Sequence, residues 1–359
     1  MAGRLALALA ALALSILIAL ASACSDPPPP TSVAATAPPP TPTAPPPTAT
    51  PEPTPTPTAS PTPAPPPPTP TASPTPTRSV PQARPIAVVV ENDPVARPQF
   101  GLTEADVVYE AVAEFNLTRF VAVFLDGTAD VVGPVRSGRA YHAGIAAEYE
   151  AGFVHCLDTP TVAAILAASK ALNLDGCRIA NPVGFWRDAT RRAPHNLYVS
   201  VPSLREAAEG QGTYGGLGKR REWPDAGPRA EAISFVYPED HPVVWRYDPN
   251  RRAYLRWQDD GPHVDVLGRQ LAASSVVVQF VAIRHAQYWG EWGYHELDLI
   301  GRGQATLYAN GRKREATWLR GSYADPTRFL DSQGEEILLP PGKVFVQLIG
   351  VGTPVDERP

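Results

Sequence analysis

The sequence lacks a basic surplus, and it lacks a second long apolar run. Its formal charge is −5. The charges before residue 84 (Arg4, Asp26, Glu52 and Arg78) cancel, so the remainder carries the whole deficit. A general nucleic-acid binder is normally basic, and a multi-span transporter needs several apolar runs. Both classes are excluded. Cysteine is also scarce, with three in the chain. Cys24 belongs to the leader, and Cys156 and Cys177 are too few to build a thiolate metal site, even with His155 beside them. No Walker loop, dinucleotide fingerprint, nucleophile elbow or zincin helix occurs. No metal and no cofactor is expected.

Proline is plentiful: the chain has 44, and more than half precede residue 82. Ahead of them, Arg4 and the apolar stretch Leu5 to Leu20 lead into Ala21-Ser22-Ala23, the layout of a secretory signal peptide over residues 1–23. Cys24 then stands where a bacterial lipobox places the thiol that is acylated and becomes the new N-terminus. The residue three before it is Ala21, where Leu or Val is usual. Two other readings therefore stay open: a cleaved signal peptide with Cys24 incidental, or an uncleaved anchor near the short limit for spanning. Acyl chains would hold the protein by about 0.8 kcal/mol per buried methylene.

Residues 24–83 form a Pro/Thr/Ala linker with almost no large apolar side chains, so it is expected to stay disordered. Polyproline II geometry would let it reach roughly 180 Å when extended. The address implied is extracytoplasmic, on the outer face of the cell membrane, with a folded part starting at residue 84.

Within that part, 86–91, 107–112 and 119–124 read as buried strands. Thr159 is placed to cap a helix with Pro160 at its first turn. Val162, Ile165, Leu166 and Leu172 are expected on one face of that helix, with Gly176 just past its end. Ser203-Leu-Arg-Glu206 has capping-box spacing for a second helix. Strands interleaved with helices predict an α/β or α+β layer domain over 84–228. From 229 to 359 the runs are short and β-rich, predicting a mostly antiparallel β subdomain. Its clearest local signal is Asn310-Gly311, two residues that tolerate the positive φ of a type I′ hairpin.

In an exported protein, Cys156 and Cys177 favour a disulfide, with two buried thiols as the alternative. The charged residues are ordered along the chain. Acids cluster from Glu91 to Glu114, then Arg119, Arg136 and Arg139 arrive, followed by Arg178, Arg187, Arg191, Arg192 and His195. Gly133-Pro-Val-Arg-Ser-Gly-Arg139 presents two planar guanidinium forks suited to phosphate or carboxylate, with Ser137 able to add donors. The competing reading pairs these arginines internally with Asp106, Glu110 and Glu114. Arg187, Arg192, Asn196 and Tyr198 surround His195 as further ligand contacts, or form a polar loop pinned by Pro194. His263 and Asp265 are not expected to act as a ligand pair. Trp289, Trp292 and Tyr294, with Gly290 and Gly293, are either a sugar platform or an ordinary aromatic loop.

The segments RPIAVVVEN, ARPQFGLTEADVVYEAVAE, LTRFVAVF, VGPVRSGRAYH and RRAPHNLY resemble, in this order, the YerB-like lipoprotein family, a domain of unknown function. YDPNRRAYLRW, VVVQF and LPPGKVFV are similar to that family's β-rich second domain. VHCLDTP at 154–160 departs from the glycine-containing loop expected after the histidine. The resemblance implies an exported, anchored protein with a linker, and no settled activity. Two functions follow. One is an envelope lipoprotein binding an anionic ligand or a protein partner. The other is an envelope enzyme acting on a phosphate-bearing glycopolymer or lipid pyrophosphate. In that enzyme Arg119, Arg136 and Arg139 hold phosphates, Asp106 or Glu110 acts as base or metal ligand, and His195 carries a proton.

Overall fold

The computed structural model describes residues 80–359 apart from 180–181, 239–240 and 288–292. The expected leader, Cys24 and the proline-rich tract through residue 79 lie outside the described residues, as do Trp289, Gly290 and Trp292. The first half runs β1 (Ile86–Glu91), β2 (Val107–Val112), β3 (Thr118–Phe124), α1 (Ala140–Glu148), β4 (Gly152–His155), α2 (Pro160–Ala167), β5 (Leu172–Asp175), β6 (Phe185–Arg187), β7 (Leu197–Val199) and α3 (Val201–Ala207). The second half contributes β8 (Ala232–Tyr237), β9 (His241–Asp248), β10 (Ala253–Gln258), β11 (Gly261–Pro262), β12 (Ala272–Ala273), β13 (Ser275–Val281) and β14 (Ile283–Gln287). It continues with β15 (Gly293–Leu297), β16 (Gly301–Ala309), β17 (Arg312–Arg320), β18 (Arg328–Leu330), β19 (Val344–Gly350) and β20 (Asp356–Arg358).

One ten-stranded sheet, ordered β18-β17-β16-β13-β19-β2-β3-β1-β4-β5, takes strands from both halves. The join is β19, parallel to β2 on one side and to β13 on the other. Its sequence VFVQLIG is buried at all but the last residue. Near-continuous apolar strands are what two covered faces and parallel neighbours require. A second, antiparallel sheet, β11-β10-β9-β8-β20, packs on one face of the first. Trp245 of β9 meets Phe345 of β19 at a ring distance of 4.8 Å, and the Tyr237 hydroxyl donates to the Glu110 carbonyl at 3.1 Å. Alternation along β2 turns Tyr109 to the other face, where its hydroxyl is 2.7 Å from that of Tyr149, just past α1.

The strand expectations and the α/β-then-β layout hold. Asn310 and Gly311 have φ of 53° and 68° between β16 and β17. The helices differ in detail. α2 stops at Ala167, and Leu172 opens β5 instead of extending the helical face. α3 starts earlier than the Ser203 box implied: Ser200 is its cap, its side chain accepting from the Ser203 amide. α1 has eight of its nine residues buried, so it lacks the one-sided apolar stripe by which a helix is read from sequence.

Candidate anion site at the ends of the parallel strands

β1, β4 and β5 are parallel neighbours, and their last residues are Glu91, His155 and Asp175. β3 is antiparallel to β1, so Arg119 near its start lies opposite Glu91. In layered α/β folds, ligands gather at the carboxyl ends of parallel strands. Here β1, β4 and β5 each end in a polar side chain.

The 133–139 loop is strapped across this end. Arg136 donates its amide to the Val89 carbonyl at 3.0 Å, Glu91 donates to the Pro134 carbonyl at 2.9 Å, and Val135 donates to the Leu197 carbonyl at 2.7 Å. Gly133 has a φ of 147°, and a Cβ there would stand 2.8 Å from the Leu197 oxygen, so only glycine fits between loop and β7. This holds Arg136 with Nε 3.0 Å from Glu91 Oε1, while Glu91 Oε2 lies 2.9 Å from His195 Nδ1. Glu114, in the turn after β2, binds the other two arginines. Its Oε2 is 2.5 Å from Arg119 Nη2, and its Oε1 pairs with Arg139. Arg119 also donates to the Ser137 carbonyl at 3.0 Å. Ser137 thus enters through its backbone.

Three guanidinium groups are therefore in direct ion pairs with two carboxylates, and Asp93 acts on Arg136 from further away. Burial lowers the Arg136 and Arg139 pKa values from the usual arginine level, and the neighbouring Arg119 charge lowers them further. Burial alone would raise Glu114, but Arg119 and Arg139 outweigh it and hold that carboxylate below its ordinary range. The Arg136 side chain keeps 24% of its surface exposed, against 5% for Glu91. The arrangement is a positively charged, partly open cluster on rigid supports.

The other residues singled out from sequence lie elsewhere or serve the fold. Asp106 caps the turn after β3, its Oδ2 accepting from the amides of Leu125 at 2.7 Å and Gly127 at 2.9 Å, at the opposite end of the strand from Arg119. Glu110 is fully buried and paired with Arg256 at 2.7 Å between the sheets. Asn196 ties its own loop, accepting from Arg187 at 2.9 Å and donating to the Asp188 carbonyl at 3.1 Å. Tyr198 is buried edge-on to Phe100 at 5.3 Å. Arg192 is exposed. Of that second motif, His195 contacts Glu91, the carboxylate that also holds Arg136. Cys156 and Cys177 form a disulfide linking the ends of β4 and β5. Asp265 folds its own turn, accepting from the Leu267 and Arg269 amides at 2.9 Å each. Of the three acids that the internal-pairing reading names, Glu114 does hold Arg119 and Arg139, and what composition did not reveal was the role of Glu91. Its signal was positional, an acid closing a buried strand.

Fold and sequence together define the class. Two family models match, "Protein of unknown function (DUF3048) N-terminal domain" over residues 70–214 and the C-terminal domain of the same family over 233–346, and the chain belongs to that family. Among its relatives, "Putative lipoprotein YerB" of Bacillus subtilis (strain 168) is 30% identical over 285 residues, covering 76% of this chain and 83% of the relative. The crystal structure of the YerB protein from Bacillus subtilis matches with a TM-score of 0.65 at 25% identity, over 77% of this chain and 94% of that one.

Proposed function

We propose that this chain is an exported lipoprotein, tethered through Cys24 to the outer face of the cell membrane, whose folded part binds an anionic ligand of the cell envelope. The relative's name, with the leader and the linker, supports the address. One observation carries the ligand class: Arg119, Arg136 and Arg139 outnumber Glu91 and Glu114 at the strand ends, and Arg136 stays partly exposed. Planar guanidinium groups on fixed backbone suit the paired oxygens of phosphate or carboxylate. A surplus charge beside a neutralised pair favours a guest that completes the balance. The enzymatic alternative needs Asp106 or Glu110 beside these arginines, and the positions of those two residues give it no support.

The test is thermal unfolding of the chain with and without pyrophosphate, in wild type, Arg136→Lys and Arg136→Ala. A ligand present at a hundredfold excess over its dissociation constant stabilises by about 2.7 kcal/mol. Wild type should show an upward shift that is reduced in Arg136→Lys and absent in Arg136→Ala. An unchanged wild-type melting temperature at millimolar pyrophosphate and phosphate would remove the reading.

A further inference from the structure

Beside the arginine loop lies a second cluster that the anion reading does not use. His155 ends β4, Asp175 ends β5, and Asp158 follows the disulfide-bonded Cys156. One ligand-capable atom from each of these three falls within 4.8 Å of the others. His155 has no exposed surface and Asp175 keeps 3%.

The hydrogen bonds leave the inner atoms of this cluster over. His155 Nδ1 faces the Leu157 carbonyl at 3.0 Å. A carbonyl only accepts, so Nδ1 carries the proton and Nε2 keeps its lone pair. Yet Nε2 faces another acceptor, the Asn173 amide oxygen at 2.7 Å, and beyond it Asp158 Oδ2 at 4.0 Å. Asp175 Oδ1 is saturated by the amides of Leu157 at 3.1 Å and Cys177 at 2.9 Å, while its buried Oδ2 accepts no hydrogen bond. Asp158 Oδ1 is likewise taken, by Arg178. Each carboxylate therefore has one oxygen held; the other oxygen of Asp158 lies 4.0 Å from His155 Nε2, and that of Asp175 lies 3.7 Å from Arg178 Nε. Acceptors converging on acceptors need a positive charge among them. A second proton on His155 answers the Asn173 contact but leaves Asp175 Oδ2 with no hydrogen bond, only the Arg178 Nε 3.7 Å away. A cation answers all four atoms.

We infer that His155 Nε2, Asp158, Asp175 and the Asn173 amide oxygen form a binding site for a divalent transition ion. Imidazole with oxygen donors suits zinc or manganese better than magnesium or calcium, and both nearby thiols are committed to the disulfide. The backbone carbonyl behind Nδ1 is the support that metal-binding histidines ordinarily have. Asn173 lies on the exposed edge strand and gives an approach from solvent. Arg178, Nε 3.7 Å from Asp175 Oδ2 and itself exposed, is the cation that a metal ion would displace or leave at the rim. The site adjoins the arginine loop: Gly138 donates to the Leu157 carbonyl at 2.8 Å, and a Cβ on Gly138 would stand 3.2 Å from His155 Cγ.

The experiment uses the full, untagged chain with its disulfide intact, stripped with EDTA and titrated calorimetrically with Mn²⁺ and, separately, Zn²⁺. One equivalent should bind at micromolar ion, and bound Mn²⁺ should lose its aqueous paramagnetic resonance signal. Asp158→Asn keeps the side chain's shape and should weaken binding at least about tenfold. Arg178→Gln removes the competing cation and should bind as tightly as wild type or tighter. No stoichiometric uptake by wild type overturns the site, and so does equal affinity in Asp158→Asn. If the carboxylates exist only to hold Arg178, then Arg178→Gln lowers the melting temperature in EDTA and added ion does not restore it. Uptake of ion does not depend on pyrophosphate, so this result and the anion test can fail separately.

Discussion

Arginine meets glutamate in two regions of this molecule, under opposite physical conditions. Between the sheets, Arg256 and Glu110 are each fully buried and 2.7 Å apart. The guanidinium lies over Phe120, Trp245 and Phe345 at 5.5 to 5.9 Å. The free oxygens of this pair have donors: Glu110 Oε1 accepts from Thr118 at 2.8 Å and Asn92 at 3.2 Å, and Gln258 accepts from Arg256 at 2.7 Å. One cation balances one anion, and no solvent reaches either. At the strand ends, three arginines face two glutamates, and the arrangement is partly wet. A sealed, neutral pair serves the fold. A surplus charge left near solvent can serve a ligand. The same residue types in the same sequence thus divide by burial and count.

The comparison breaks most directly at its dry end. Glu110→Ala strands a buried guanidinium, and removing one partner of a buried pair typically costs about 3–5 kcal/mol. Urea unfolding should show that loss, whereas Arg136→Ala, with Glu91 still held by His195, should cost about 1 kcal/mol as a partly solvated pair does. Equal costs would mean the two regions are not different in kind.

A smaller effect tracks acid. Each region keeps a buried histidine neutral. Burial, then Arg119 and Arg139, hold His142 well below the ordinary histidine pKa. Burial, Arg256 and Arg97 do the same to His263. Both pKa values are depressed by folding, so the stability they protect is complete above about pH 6.5 and is lost as pH falls below it, by about 1.4 kcal/mol per unit for each group. His142→Gln should flatten that slope between about pH 6.5 and 5 by the share of one group. An unchanged slope would show that His142 is protonated in the folded chain.

How much of this was legible beforehand depended on how local each feature is. β2 could be read at its observed ends because an apolar run carries its own period, and Asn310-Gly311 carries its own turn chemistry. α1 could not, because AYHAGIAAE is packed all round. The placement of β19 between β13 and β2 was hidden for another reason. Pairing across more than 200 residues is decided by which buried surfaces fit, and no local motif records it. The site divided in the same way. Arg119, Arg136 and Arg139 stood out by composition. Glu114 is among the partners that the internal-pairing reading gives them, whereas Glu91 and the polar residues closing β4 and β5 acquire meaning only once parallel order brings the strand ends together. Asp106 and Glu110 looked equivalent to those acids in sequence, but one faces the far end of the sheet and the other faces Arg256.

The smallest expected change in stability separates structure from ligand binding most cleanly. Arg119 contributes one ion pair with Glu114, 2.5 Å away, and it also repels Arg136 and Arg139. Arg119→Gln removes the attraction, the hydrogen bond to the Ser137 carbonyl and the two repulsions together, and Glu114 keeps Arg139. The net effect on urea unfolding should stay within about 0.5 kcal/mol, the range of a partly solvated pair. The site, however, would fall from three positive groups against two negative ones to an even count, and the stabilisation by pyrophosphate should disappear with the surplus. A variant that folds as well as wild type yet no longer responds to the anion would assign the extra charge to binding. A large loss of stability would instead make Arg119 a strut like Arg256, and the strand ends would be a second dry pair in formation rather than an open one.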